Sequence, residues 1–524
     1  MHPRRLLPAL AALLLGAAAP RPAAAQAAPA KPGITGPRFI QDSLDAYVRR
    51  GLRLWNIPGL AVVVVKDGQT VIEKGYGTRA VPTPGAPAEA VDANTLFMIA
   101  SNSKLFTGTV LAQLEEEKKL SLSDPVRKYL PDFRLYDSTS TRLVTVRDLM
   151  AHHFGTKTFQ GDFTFWNSSL SRADIVRRMR LLKPGGQFRQ DYGYCNSGFV
   201  AAGEIVPVVS GGLKWEDFVQ QRIIAPLAMS NTYPLTAGYA QRANIALPYS
   251  TSFGPLTRLP FDNIDNLGPA ASLVSSVHDL SHWLQFQLDS GRYEGRQIMP
   301  WATLRRTRAG NTLISARKSP ILPSHFSTYG LGVFSSDYNG RQLFNHTGGA
   351  DGFVTGVCFV PEERLGLAVL TNQDNQSFFE ALRYQLLDAY LGVPYVDRSR
   401  QLWLRSQPGQ AEVNQAVATL NARAAKRKKL PRALSAYAGT YQNPLYGPIT
   451  VEAKGKQLVA RFANHPQLTA TFDYLDGEQF RTTYSSPIYG PQPATFTVEN
   501  GQVKAVEIRV NEFIELDPYL FVKQ

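Results

Sequence analysis

The sequence predicts an α+β fold: an antiparallel sheet flanked by helices plus a helical lobe, followed by a small all-β barrel. Three observations support this prediction. An apolar hairpin lies at residues 60–72, and three short strands follow within residues 342–371. A mostly helical stretch with long loops, residues 102–297, separates them. Beyond residue 431, short alternating segments recur at close spacing, which is typical of a small barrel.

At 524 residues the chain is longer than one typical core requires, so we expect several structural units. Residues 26–36 are rich in Ala, Pro and Gly, which indicates a flexible segment. The predicted units are a signal peptide at 1–25, a flexible lead-in at 26–39, the α+β domain at 40–397, a helical linker at 398–430 and the barrel domain at 431–524.

The first 25 residues have the layout of a secretory signal peptide. A basic start that ends in Arg4-Arg5 precedes an apolar run at residues 6–19, and Ala23-Ala24-Ala25 offers a cleavage site. We therefore expect an exported protein, periplasmic or extracellular, without a membrane span once the signal is removed. An uncleaved N-terminal anchor is the alternative, and the arginine pair leaves a twin-arginine route open.

Charge and cysteine content narrow the function classes. The formal charge is +14, but the clearest basic run, residues 426–429, lies in the predicted linker without interleaved aromatic residues. A solvated linker face explains it better than nucleic-acid binding. The only cysteines are Cys195 and Cys358, both among apolar or aromatic neighbours, and we expect buried free thiols rather than a disulfide framework.

The elements of the α+β domain follow from periodicity. Helical spacing marks residues 40–55, and the β-branched run at 60–65 with the Asp67-Gly68 turn predicts a buried hairpin. Later elements are listed together: helices at 215–224, 277–288 and 378–391, and strands at 342–345, 353–360 and 365–371. One hairpin and three late strands give a sheet of five strands.

In the barrel domain, alternation predicts six strands, and Gly455 and Asn500-Gly501 mark tight turns. The six segments are 449–452, 457–462, 468–472, 480–484, 495–498 and 503–510.

The most informative motif is S-x-x-K at Ser101 to Lys104, followed by an apolar helical run at residues 105–120. Residues three apart share a helix face, so the hydroxyl and the amine point the same way. A serine needs a base to become a nucleophile, and a lysine becomes a base when its pKa is lowered. Ser315 to Lys318 fits the same pattern but lies in a polar stretch with no helix after it.

Two further clusters carry polar chemistry. Tyr194 can relay a proton and Asn196 can hold a substrate carbonyl, although Y-x-N also occurs at Tyr441 in the barrel. His346, Thr347, Gly348 and Gly349 lie at the end of the strand 342–345, and the glycines would let a backbone N–H approach an oxyanion.

The adjacent pair His152-His153 suggests metal ligands, but no third ligand stands at suitable spacing. We expect the two rings to cap or pack at a helix end, and we predict neither a metal nor a cofactor.

The order S-x-x-K, Y-x-N, H-T-G resembles the serine β-lactamase and penicillin-binding-protein superfamily, especially its class C-like branch of peptidases and esterases. The segments 120–131, 144–152 and 329–333 are also similar to signatures of that family. The resemblance covers roughly residues 40 to 395. The order separates Ser101 from Ser315, and Tyr194 from Tyr441, because Ser315 and Tyr441 fall outside it.

The resemblance implies a role for each site residue. Ser101 would be acylated, with Lys104 as the base and Tyr194 sharing proton transfer. Asn196 would orient the acyl side. Thr347 and His346, which stands where β-lactamases more usually carry lysine, would contact a carboxylate or polar group of the substrate. The backbone N–H groups of Ser101 and Gly349, beside Gly348, would form the oxyanion hole.

The barrel domain resembles the lipocalin-like module of exported D-aminopeptidase-like enzymes, where it can restrict the substrate; a passive stabilising role is the alternative. The predicted function is therefore a metal-free serine hydrolase acting on small D-residue-containing peptides or related amides. An esterase, a weak β-lactamase and a penicillin-binding sensor without turnover remain alternatives. The sequence does not predict the oligomeric state.

Overall fold

The computed structural model describes residues 37–85 and 87–524. The predicted signal peptide and residues 26–36 of the predicted lead-in lie outside the described residues. Within the described chain, no helix combines the length and the apolar character needed to cross a bilayer.

The α+β domain is built on an eight-stranded antiparallel sheet, here called the main sheet. In spatial order its strands are Gln69–Gly77, Gly59–Lys66, Leu365–Thr371, Phe353–Val360, Arg341–Ala350, Phe334–Tyr338, Ser327–Tyr329 and Thr312–Ser315. The predicted antiparallel sheet is confirmed, but it has eight strands rather than five. The three missed strands form one edge, where short polar segments show little alternation. Ser315 is the last residue of the outermost strand.

The strand Gly59–Lys66 shows that both faces of the main sheet are covered. Its residues alternate between two cores: Leu60 and Val62 pack in one, whereas Ala61 and Val63 pack in the other. A strand that is buried on both faces reads as a continuous apolar run, as seen at residues 60–65. The first core includes the helices Leu44–Trp55 and Phe378–Leu391, and the second runs through the helical lobe and continues into the barrel.

The helical lobe is formed mostly by the helices between residues 103 and 308. The helices of the described chain are Leu44–Trp55, Ser103–Glu116, Ser138–Leu143, Val146–Met150, Arg172–Arg178, Asn196–Val209, Trp215–Val219, Gly268–Ala271, Val277–Leu288, Trp301–Arg308, Phe378–Leu391, Arg398–Ala425 and Leu434–Tyr437. Ser103–Glu116, here called the nucleophile helix, ends four residues before the predicted end. Leu44–Trp55 starts later than predicted, after a π-helical turn at Phe39–Ser43.

Beyond the helix Arg398–Ala425, the chain forms a closed barrel of eight antiparallel strands. They are Gly439–Asn443, Gly447–Lys454, Gln457–Phe462, His465–Asp476, Gln479–Tyr484, Pro491–Glu499, Gln502–Ile508 and Tyr519–Lys523. The predicted barrel is confirmed, with two strands more than predicted. The missed ones are the first and the last, which pair with each other to close the barrel. Local alternation carries no information on such a distant pairing.

Candidate active site

Ser101 lies in a 3-10 turn, Ala100–Asn102, that leads directly into the nucleophile helix. Ala100 has a positive φ of 47°, a strained conformation for a residue with a side chain. The turn packs against the main sheet, where Asn102 Nδ2 donates to Thr355 Oγ1 at 2.9 Å. A Cβ at Gly348 would lie 2.0 Å from the carbonyl oxygen of Ile99, so the sheet and the turn meet this closely only because residue 348 is glycine.

Lys104 lies one helical turn after Ser101 and is fully buried. Its Nζ is within hydrogen-bond distance of three oxygens: Ser101 Oγ at 2.9 Å, Asn196 Oδ1 at 2.7 Å and the carbonyl of Ala270 at 2.9 Å. Burial lowers the pKa of Lys104 well below its usual value, although the nearby Asp162 acts in the opposite direction. The structure therefore favours a neutral amine at this position.

A neutral amine has two N–H donors and one lone pair, and the three partners of Lys104 match them. The amide oxygen of Asn196 and the carbonyl of Ala270 can only accept hydrogen bonds, so they take the two N–H groups. The lone pair then faces Ser101, whose hydroxyl can donate. This arrangement can remove the proton from the serine as it attacks a carbonyl.

The orientation of the Asn196 amide is fixed by Asp162. Asn196 Nδ2 donates to Asp162 Oδ2 at 2.7 Å, which places Oδ1 toward Lys104. Asp162 is 2% exposed, and its second oxygen, Oδ1, has no hydrogen-bond partner among the described residues. Burial raises the pKa of Asp162 well above its usual value, and the charge of Glu515 raises it further.

The ring of Tyr194 lies beside the lysine, with Lys104 Nζ 4.7 Å from the ring centroid, and the neighbouring Ser101 hydroxyl acts to lower the pKa of the phenol. Burial raises the pKa of Tyr194 well above its usual value, so the phenol keeps its proton at neutral pH. The group can therefore give a proton to a leaving group, and a protonated Lys104 can then replace that proton.

The ring of His152 packs against the ring of Tyr194. The two rings lie 4.3 Å apart, and His152 Nδ1 accepts from the backbone N–H of Cys195 at 3.1 Å. His153 contacts Asp148 and Thr312 at 2.7 and 2.9 Å. Both histidines thus pack at the end of the helix Val146–Met150, as the sequence predicts. Among the described residues, no cluster of His, Cys, Asp or Glu could hold a metal ion.

His346 lies on the strand Arg341–Ala350, whose end is five residues later than predicted and which includes Gly348 and Gly349. Its Nε2 lies 2.9 Å from the Tyr329 hydroxyl, and its Nδ1 lies 2.6 Å from the carbonyl of Thr347. The carbonyl can only accept, so Nδ1 carries the proton and Nε2 accepts from the tyrosine. Burial lowers the pKa of His346 to about 3, so the ring is neutral and both nitrogens are engaged within the protein.

The predicted residues meet at one pocket of about 390 Å³. Ser101, Tyr194, Asn196, His346, Thr347, Gly348 and Gly349 line it, and Lys104 lies behind Ser101. Most of the remaining wall is apolar, and it includes Phe159, Trp166, Tyr192, Leu267, Phe334, Val354, Phe379 and Phe513. The second S-x-x-K motif, Ser315 to Lys318, does not line this pocket. Ser315 Oγ accepts from the backbone N–H of Arg317, and Lys318 is exposed.

Three groups of the site were not predicted from the sequence: Asp162, Phe513 and Glu515. Phe513 comes from the barrel domain and lines the pocket beside Gly349. Asp162 lies in a loop without periodicity, and Glu515 follows the last predicted barrel strand. In the sequence these residues are marked only by nearby glycine and aromatic residues, and such neighbours are too common to identify a site.

Two family models match the chain. The Beta-lactamase model matches residues 44–391, which is most of the described chain and includes every predicted site residue. The chain belongs to the Beta-lactamase family. A second model, described as a domain of unknown function (DUF3471), matches residues 423–523 and coincides with the barrel of this family member.

Named relatives include hydrolases. The chain is 27% identical over 505 residues to the unguisins hydrolase ungD of Aspergillus violaceofuscus, covering 88% of this chain and 86% of the relative. It is 26% identical over 345 residues to protein flp of Staphylococcus aureus strain COL, covering 64% of each chain. The octameric penicillin-binding protein homologue from Pyrococcus abyssi has a similar fold, with a TM-score of 0.58, 21% identity, and coverage of 92% of this chain and 99% of that chain.

Proposed function

We propose that this protein is a serine hydrolase that works through an acyl-enzyme on Ser101. The observation that carries the proposal is the buried Lys104, whose two N–H donors are taken by acceptor-only oxygens while Nζ lies 2.9 Å from Ser101 Oγ. A base held this way is ready to accept the serine proton without reorganisation.

Acylation then follows in two steps. Ser101 Oγ bonds to the substrate carbonyl carbon, its proton moves to Lys104 Nζ, and the carbonyl electron pair moves onto the oxygen. The backbone N–H groups of Ser101 and Gly349 stabilise this oxyanion. When the oxyanion collapses, the bond to the leaving group breaks, and that group takes the proton of Tyr194, which Lys104 replaces.

Deacylation reverses the roles. Water attacks the ester carbon, its proton passes to the Tyr194 and Lys104 pair, and Ser101 leaves with a proton from the same pair. Lys104 is the main base in this scheme, because burial keeps the Tyr194 phenol protonated at neutral pH.

The pocket favours substrates with apolar substituents and no carboxylate at the His346 side. Its wall is largely aromatic, and His346 is neutral with both nitrogens engaged. We propose small peptides with D-residues or related amides, on the resemblance of the barrel to the module of D-aminopeptidase-like enzymes. The unguisins hydrolase relative supports hydrolysis in general.

A second candidate is an esterase. An uncharged apolar pocket also suits ester substrates, and an ester needs less help from a leaving-group acid than an amide does. A β-lactamase fits less well, since a penicillin carboxylate would meet no cationic partner at His346. A sensor without turnover would form a stable penicillin adduct.

One panel of reactions separates these candidates. The protein is incubated with a p-nitrophenyl ester, D-amino-acid p-nitroanilides, a D-residue dipeptide and a chromogenic cephalosporin. The proposal expects Ser101-dependent release from the amides, lost in Ser101→Ala and kept in Ser315→Ala. Ester turnover alone would favour the esterase, and the absence of any Ser101-dependent reaction would refute a serine hydrolase.

Export is a further proposal, supported by the signal-peptide layout of residues 1–25. It is tested by expressing the full chain in a bacterial host, fractionating the cells and sequencing the N-terminus of the product. A mature N-terminus at Gln26 in the exported fraction supports it, whereas an intact Met1 in the cytoplasmic fraction contradicts it.

A further inference from the structure

The turn at residues 161–163 stands between the active site and the barrel. The two residues of this turn that carry side chains have different surroundings: Asp162 lines the pocket beside Asn196, whereas Phe163 is buried among aromatic residues of the barrel. The Phe163 ring stacks on His465 at 4.1 Å and on Tyr519 at 5.2 Å. A change in how the barrel holds this turn therefore moves a side chain of the active site.

Glu515, in the barrel loop between Gln502–Ile508 and Tyr519–Lys523, holds the turn. Its Oε1 accepts from the backbone N–H of Gly161 at 2.8 Å, and its Oε2 accepts from that of Phe163 at 3.2 Å. The hydroxyls of Tyr446 and Tyr519 donate to the same carboxylate at 2.7 and 3.3 Å. Four donors converge on a side chain that is 3% exposed, and an acceptor-only carboxylate suits all four.

The contacts continue from Glu515 to the nucleophile. The turn fixes Asp162, whose Oδ2 accepts from Asn196, and Asn196 in turn accepts from Lys104. We infer that Glu515 is a positioning residue for the reaction: through the turn at 161–163 it places Asp162, and through Asp162 and Asn196 it acts on the base Lys104. This inference rests on the proposed function.

The sign of the effect follows from the charges around the lysine. The charge of Glu515 adds to burial in raising the pKa of Asp162, and an ionised Asp162 would raise the pKa of Lys104. Removing the Glu515 charge therefore favours ionised Asp162 and protonated Lys104. Rates that depend on neutral Lys104 then need a higher pH.

Other titratable groups face these residues and stay in place in the test. The groups that act on Lys104, or that it acts on, are Cys195, His152 and His346, and Tyr194 lies against it. Burial raises the pKa of Glu515 itself to about 7. The wild type and the Glu515 variants are therefore compared above pH 7, where the wild-type carboxyl is charged. Around Glu515 the remaining groups are Tyr446 and Tyr519.

The test compares pH–rate profiles of acylation in the full-length protein, with the p-nitrophenyl ester as the probe. Glu515→Gln is expected to shift the acid limb upward by roughly 0.5–1 pH unit. Because its amide cannot accept from all four donors, kcat is expected to fall as well. In the Asp162→Asn background, the same substitution is expected to cause no upward shift, because no carboxyl remains at 162 to ionise. Glu515→Asp keeps the charge but shortens the reach, so its limb stays in place while kcat falls.

Asp517→Asn is the matched control, since it removes an exposed ion pair between the same loop and Lys157, 3.1 Å long. It is expected to leave the profile unchanged, and thermal unfolding confirms that each variant is folded. The inference is overturned if folded Glu515→Gln keeps the wild-type limb, or if Asp517→Asn shifts it equally. If the wild type has no Ser101-dependent activity, the proposed function fails and the inference falls with it.

Discussion

Lys104 and Asn196 are joined by a 2.7 Å hydrogen bond from the amine to the amide oxygen. The two residues are 92 positions apart in sequence, and the bond determines which way the lysine donates. Because Asn196 and Ala270 take the N–H groups, the basic electron pair of a neutral Lys104 lies on the side of Ser101. The S-x-x-K pair becomes a nucleophile and a base through residues outside the motif.

Lys104→Ala is expected to lower the acylation rate by at least 10²-fold, the lower end of the range for general-base catalysis. The helix should persist, since alanine is a strong helix former. The measurement is the rate of fluorophosphonate labelling, followed by intact mass, with circular dichroism to check the fold. Lys318→Ala, in the second S-x-x-K motif, is the matched control and should label at the wild-type rate. Unchanged labelling of Lys104→Ala would exclude Lys104 as the base.

Asp162→Asn is expected to leave the acid limb of the pH–rate profile close to its wild-type position. Burial and the charge of Glu515 already raise the pKa of Asp162 and keep its carboxyl protonated, so the substitution removes no charge beside Lys104. The asparagine still offers an oxygen to Asn196 Nδ2, which preserves the geometry. The limb is measured under kcat/KM conditions with the ester substrate, and a clear shift to lower pH would show that Asp162 is ionised in the wild type and contradict this assignment.

Tyr194→Phe is expected to discriminate between leaving groups. An amide nitrogen needs a proton to depart, whereas p-nitrophenolate does not, so loss of the phenol should cost about 10²–10⁴-fold on an amide and much less on the activated ester. Both kcat/KM values are measured on the same preparation, which makes the ester the control for folding. Equal losses on the two substrates would show that Tyr194 acts in another way.

Gly349 and Phe513 form a contact between the main sheet and the barrel that a substitution cycle can test. A Cβ at residue 349 would lie 2.9 Å from the Phe513 ring, and that ring is its only obstacle within 4 Å among the described residues. Gly349→Ala should therefore lower kcat/KM, and Phe513→Ala should rescue it. A Cβ at Gly348 would instead meet the backbone of Ile99 at 2.0 Å, so Phe513→Ala should not rescue Gly348→Ala.

Phe513→Ala alone is expected to enlarge the pocket on the barrel side. Esters with bulky acyl groups should then gain in kcat/KM relative to acetyl esters, because the aromatic wall has been removed. A uniform change across acyl sizes would support the passive stabilising role of the barrel.

Local patterns predicted the elements with strong periodicity. The helix Phe378–Leu391 and the strands Phe353–Val360 and Leu365–Thr371 have the predicted bounds because each is long, apolar and closed by turn residues. The missed strands are short, polar or defined by distant partners. Pairings such as Gly439–Asn443 with Tyr519–Lys523 arise from barrel closure, which no local window contains.

The site also has parts that the sequence predicted and parts that it did not. The order of the motifs predicted one site for Ser101, Lys104, Tyr194 and His346, and the structure places them at one pocket. It did not predict that both His346 nitrogens bond within the protein, nor that Glu515 reaches the turn carrying Asp162. These contacts depend on tertiary packing between segments that are far apart in the chain.

The most direct test of the central claim is peptide mass spectrometry after fluorophosphonate labelling, in which the serine oxygen displaces fluoride from phosphorus. The adduct is expected on Ser101 in the wild type and in Ser315→Ala, and on no peptide in Ser101→Ala. An adduct at another residue, or an unlabelled Ser101 in folded protein, would contradict the assignment of Ser101 as an activated nucleophile.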